Sequence, residues 1–183
     1  VHALRVSDAW LDLSFVAVVD GAVVGHVAFT RSLLDAPPRL VDVLVLGPLS
    51  VRPDRQGRGI GDAIVRGALD LLADRPEPLV CLDGPLAHYR RFGFRPGGEL
   101  GLRRPSLRIP ESAFQVRPRA VSEPWMTGTW STTAPSGTTT AWVCVTDRLG
   151  LEEGVPAGQA LPVLWWSMTW RATSVSLRFM SWD

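Results

Sequence analysis

The stretch "LSFVAVVDGAVVGHVAFTR" holds two apolar runs joined by Asp20-Gly21. An Asp-Gly step between such runs is a strong signal for a two-residue hairpin turn, so strands are predicted near 13–19 and 22–31. The "LLDAPPRL" that follows reads as a loop, because its proline pair forbids regular structure. "VDVLVLGPLSV" is almost continuously apolar, the pattern of a strand buried on both faces. Gly47-Pro48 interrupts it. Proline cannot donate to a ladder, so the strand must bulge or splay there. From Gly59 the period lengthens. Ile60, Ala63, Ile64, Ala68, Leu71 and Leu72 recur at helical intervals, with Asp62, Arg66 and Asp70 facing outward. "PLVCLDG" (78–84) predicts a short buried strand, "LAHYRRFGF" a short helix running into Gly93, and "AFQVRP" another strand. Strands with a helix between the third and fourth predict a mixed α/β domain.

Past about residue 129 this patterning stops. "WSTTAPSGTTTAW" has neither helical nor alternating periodicity, and seven of the eight tryptophans lie beyond residue 120. Such a stretch suits neither a packed core nor ordinary disorder, which is poor in aromatics. The organisation expected is therefore a domain over 1–129 and an atypical, poorly ordered tail over 130–183.

Composition narrows the class without naming a function. With 46% hydrophobic and 20% charged residues, the 183-residue chain reads as one globular domain. It has no run long enough to span a membrane. A formal net charge of +1 gives no global argument for nucleic acid or anionic lipid. The basic residues are all arginine, which suggests a GC-rich genome. Cys81 and Cys144 have neither metal-ligand spacing nor a disulfide framework, so no metal and a reducing cytoplasm are expected. Cys81, inside an apolar strand, reads as inert core.

The chemistry concentrates in Gln56-Gly57-Arg58-Gly59-Ile60-Gly61, between a strand and a helix. A helix start presents unpaired N–H groups and the positive end of the macrodipole, which together attract phosphate. Glycines let successive amides converge and admit a ligand close to the main chain. Arg55 and Arg58 can add charge-assisted contacts. A glycine-rich turn with solvated arginines is the plain alternative. The loop lacks the Lys-Ser/Thr ending of a Walker A motif and the G-x-G-x-x-G spacing of a dinucleotide fold.

The Q-x-x-G-x-G pattern after "LSVRP", the broken strand before it and "HYRRFGF" beyond resemble the GCN5-related N-acetyltransferases (GNAT). "LGLRRPSLRIPESAFQVR" is similar to one bacterial branch of that family, and the resemblance covers roughly residues 1–129. It implies a GNAT fold: an α/β architecture whose mixed central β-sheet has splayed strands flanked by helices, here incomplete at the N-terminus. It implies acetyl-CoA as acyl donor, moved to a primary amine of a small molecule or protein. Pantetheine would hydrogen-bond the main chain around Leu49, Ser50 and Val51, and the pyrophosphate would lie on Gln56, Gly57, Arg58, Gly59, Ile60 and Gly61. A main-chain N–H near Leu49 would stabilise the oxyanion, and Tyr89, the only tyrosine, would protonate the leaving thiolate. His26, Asp42, Asp83 and His88 stay open as general bases, as does the absence of any. Homodimers are common in the family, and the acceptor and oligomeric state stay open too. Other readings are an acyl-CoA-binding module or inactive remnant, and a generic phosphate-binding domain.

Two departures from that branch carry further expectations. The chain opens with Val1 and what reads as a helix end, "HALRVSDAW", which predicts a missing N-terminal part or a non-ATG start. After "PWMTGT" the branch tends to continue "LVY…AFW…HDCVGL", whereas this chain reads "WSTTAPSGTTTAWVCV". Restoring one cytosine between the Thr129 and Trp130 codons, with permitted synonyms, yields LVYDGAFWDHDCVGL. A one-base deletion is therefore expected, with an out-of-frame tail, a lost final strand and an exposed sheet edge. A locus with no intact neighbouring frame would contradict it.

Overall fold

The computed structural model describes residues 9–131 and 176–179. The predicted hairpin is β1 (Trp10–Val19) and β2 (Ala22–Asp35). Asp20 and Gly21 turn between them with φ of 51° and 78°, as a type I′ turn requires. β2 runs on through Leu33–Asp35, which the proline pair had placed in a loop, because these residues find partners in β3 (Leu40–Val51). The loop shrinks to the stretch around Pro37 and Pro38.

Gly47-Pro48 does bulge the third strand. Val27 pairs with Leu49 and Phe29 with Leu46, so Ala28 alone faces both Gly47 and Pro48. A 3-10 turn, Pro53–Arg55, then leads to helix α1 (Ile60–Leu71). β4 (Leu79–Asp83) returns parallel to β3, pairing at Leu44↔Val80 and Val45↔Cys81. A short helix, α2 (Leu86–Tyr89), and a 3-10 turn, Arg90–Phe92, end at left-handed Gly93. Short strands β5 (Arg95–Pro96) and β6 (Leu102–Arg103) precede β7 (Phe114–Pro118). β8 (Gly128–Ser131) and β9 (Ser176–Phe179) complete the described strands.

These strands form one mixed sheet in the order β5-β7-β4-β3-β2-β1-β9, with β8 joining β2 to β6. Alternation along β3 and β4 sends side chains to both faces. Leu44, Leu46, Val80 and Leu82 pack under α1 with Ile60, Ile64, Val65, Ala68 and Leu69. Val43, Val45, Leu79 and Cys81 enter a second core with Phe114, Met126 and Trp130. The buried stripe of α1 differs in detail from the predicted one. Val65 and Leu69 are buried, whereas Leu71 is 50% exposed.

The boundary expected after residue 129 falls inside β8. Trp130 is 2% exposed, stacks on Phe114 at 5.4 Å, and donates its indole N–H to Ser32 Oγ at 2.9 Å. Ser32 Oγ in turn donates to Ser131 O at 2.5 Å. β9 pairs antiparallel with β1 from Phe15↔Phe179 to Val18↔Ser176. The rest of the expected tail lies outside the described residues.

Candidate functional site

The sheet opens where the sequence breaks it. β3 and β4 pair no further than Val45↔Cys81, so the part of β3 past the bulge has its β4 side unladdered. Leu49, Ser50 and Val51 lie in that part, half-buried, with Leu49 and Val51 packed against the core beneath α1. Ser50 pairs with His26 of β2 across the opposite edge.

The chain then turns sharply into α1. Arg52 N–H is tied to Val24 O at 2.8 Å and Arg55 N–H to Arg52 O at 2.9 Å. Gln56 closes the turn, its side-chain amide donating to Val51 O at 3.0 Å. Gly57 and Gly59 hold φ of 71° and 76°, and a Cβ at either would meet nothing within 4 Å. The loop needs glycine for its backbone while leaving the space above it open. No side chain caps α1; its first internal bond runs from Ala63 N–H to Gly59 O at 3.0 Å. The amides of Ile60, Gly61 and Asp62 therefore have no partner inside the helix. Arg55 is engaged with Asp54 at 3.5 Å. Open space and unpaired helical amides fit a pyrophosphate, and Arg58 of the loop is exposed.

Tyr89 follows at the end of α2. It is 5% exposed, in the core that lies under α1, with its ring against Phe94 at 5.8 Å and His88 at 4.8 Å. Gly84 makes room for it, since a Cβ there would sit 2.5 Å from the ring.

The base candidates separate. Asp42 lies near the start of β3, away from Leu49, and is paired with Arg31 at 2.7 Å. Asp83 ends β4, where pairing to β3 has stopped, and burial pushes its carboxyl pKa up. His26 Nε2 lies 2.6 Å from Ser14 Oγ. His88 is held by Arg91 and has a lowered pKa, first from burial and then from the Arg91 charge, against Asp62. Cys81 is buried, and burial pushes its thiol up to about 12, so it is a core residue without thiolate character.

Sequence reasoning missed Ser14, Asp62 and Arg91. Arg91 reaches Asp62 Oδ2 at 2.9 Å and donates to His88 O at 2.8 Å. Its spacing from His88 in a helical turn was visible, but its partner in α1 was not.

Comparison with known proteins agrees with this geometry. A family model for the acetyltransferase (GNAT) domain matches residues 11–96. An uncharacterised N-acetyltransferase of Escherichia coli, YjhQ, is 34% identical over 100 residues, covering 54% of this chain. The chain spans only 55% of that curated relative's length. The Escherichia coli GNAT protein YhbS, solved in complex with CoA, superposes with a TM-score of 0.61 at 30% identity over 71% of each chain. A GNAT acetyltransferase of Brucella melitensis in complex with acetyl-CoA gives 0.55 at 34% identity over 73% of each. Sequence identity and a shared fold over that much of both solved structures establish that the chain belongs to the GNAT family of acetyltransferases.

Proposed function

We propose that this chain moves an acetyl group from acetyl-CoA to a primary amine, as a cytoplasmic N-acetyltransferase acting through Tyr89 and the loop 56–61. The observation that carries the reading is the opening between β3 and β4, which begins at the bulge and leads to the glycine turn. The two solved relatives that hold CoA and acetyl-CoA support the donor.

In this reading the unladdered main chain at Leu49, Ser50 and Val51 binds the pantetheine arm, and the amides from Gln56 to Gly61 bind the pyrophosphate. An N–H near Leu49 donates to the oxyanion as the amine nitrogen bonds to the acetyl carbon. Removing such a donor typically costs about 2.7–4 kcal/mol. The carbon–sulfur bond then breaks, and the Tyr89 phenol gives its proton to the sulfur. The amine's proton leaves to a base or to solvent, so charge balances. Holding donor and acceptor in line supplies much of the remaining rate.

Thiol release from acetyl-CoA, followed across a panel of primary amines, tests this. Turnover with at least one amine is expected. Tyr89→Phe should lower kcat roughly 100-fold while leaving acetyl-CoA affinity unchanged. Binding without turnover on any amine would instead make the chain an acyl-CoA-binding module.

A further inference from the structure

Arg91 joins two parts of the molecule that the proposed reaction uses at the same moment. Its Nη1 is 2.9 Å from Asp62 Oδ2, in the first turn of α1, whose N–H groups face the phosphate loop. Its Nε–H donates to His88 O at 2.8 Å, and its Nη2 contacts His88 Nδ1. His88 immediately precedes Tyr89, and the two rings meet edge to face. A guanidinium only donates, so His88 Nδ1 must be the accepting nitrogen. The pKa of His88 is lowered, by burial first and then by the Arg91 charge, which agrees with a ring held neutral. Arg91 and Arg66 also lie over the Phe92 ring, at 5.5 and 5.0 Å from its centroid.

We propose that Arg91 is a positioning residue: its fork fastens the His88–Tyr89 turn to the first turn of α1 and cancels the Asp62 carboxylate beside the phosphate site. The inference rests on the acetyl-CoA reading above and goes beyond it. Two effects follow, and they separate. The charge of Arg91 offsets Asp62, which would otherwise repel a pyrophosphate at the start of α1. The planar fork carries the ordering of α1 on ligand binding to the turn that holds Tyr89.

CoA itself is the probe, so no acceptor is needed. Calorimetry gives the affinity, and amide hydrogen exchange gives the protection that CoA confers on 56–62 and 86–92. In the wild type, CoA should protect both segments. Arg91→Ala should weaken CoA about three- to tenfold and abolish the protection of 86–92, with folding confirmed by the thermal melt. Arg91→Lys restores a charge beside Asp62 but not the fork, so affinity should recover while protection of 86–92 stays lost. Asp62→Asn combined with Arg91→Ala should behave like the lysine variant. Wild-type affinity and protection in Arg91→Ala would overturn the proposal, as would protection regained with lysine. Failure of the wild-type chain to bind CoA would overturn the acetyl-CoA reading and this inference together. CoA binding that is indifferent to Arg91 would overturn this inference alone.

Discussion

Single atoms decide how closely α1 approaches the sheet. Gly25 lies in β2 beneath the helix, where a Cβ would stand 2.6 Å from Ile64 Cδ1 and 3.2 Å from Ser50 O. The Ile64 methyl is the end of a side chain, but Ile64 is fully buried and the Ser50 carbonyl is backbone, so neither moves freely. Gly25→Ala is therefore expected to destabilise the fold by about 1–3 kcal/mol, read as a lower urea midpoint at unchanged slope. An unchanged midpoint would mean that the helix can back away at no cost. Gly59 poses a different problem, because open space surrounds it and its positive φ alone constrains the choice of residue.

At the scale of elements, the far end of α1 is secured by charge. Arg119, in the segment after β7, donates to Ala73 O at 2.8 Å, to Leu72 O and to Glu77 O at 2.7 Å. Arg75 grips the Glu77 carboxylate through Nε and Nη2, at 3.0 and 2.5 Å. Burial raises the Glu77 carboxyl, but the Arg75 hydrogen bonds and the Arg75 and Arg119 charges outweigh it and hold it below its ordinary 4.5. With the folded value depressed, the unfolded chain binds the extra proton first, and stability rises with pH. The contribution is complete above about 4.5 and is lost as pH falls through the folded value. Urea unfolding at about pH 7 and about pH 4 should therefore show a loss in the acid, and a smaller one in Glu77→Gln. Equal losses in both proteins would remove Glu77 as the cause.

The Arg119 part of this network was not legible in the sequence, since Arg119 meets Leu72, Ala73 and Glu77 only after β7 has docked, whereas Arg75 and Glu77 are two residues apart. What was legible is what local chemistry dictates. Asp20-Gly21 can adopt the hairpin turn whatever surrounds it, and Pro48 cannot complete a ladder in any fold. The stripe of α1 was read in part: Ile60, Ile64, Ala68 and Leu72 are buried as predicted, while Val65 and Leu69 are buried in place of Leu71. The two-residue strands β5 and β6 are too short to show any period. Trp130 looked foreign by composition, yet its ring lies flat on Phe114 with its N–H satisfied. Packing of that kind depends on the partner surface and not on the neighbouring residues in the chain.

At the scale of the whole molecule, one sheet separates two cores, and the reaction proposed here needs the gap between its third and fourth strands. The core under α1 sets the glycine turn and Tyr89, while the second core, closed by β6, β7 and β8, fixes the other face. Calorimetric titration of acetyl-CoA into the full chain tests the central claim, with a Gly59→Asp variant alongside. That substitution puts a carboxylate where the phosphates are expected and a side chain on a φ of 76°. Binding by the parent, and a loss of about tenfold or more in a variant that still melts cooperatively, is the predicted result. Equal binding by both would mean that the loop does not hold the cofactor, and no binding by the folded parent would mean that the chain has no acetyl-CoA site.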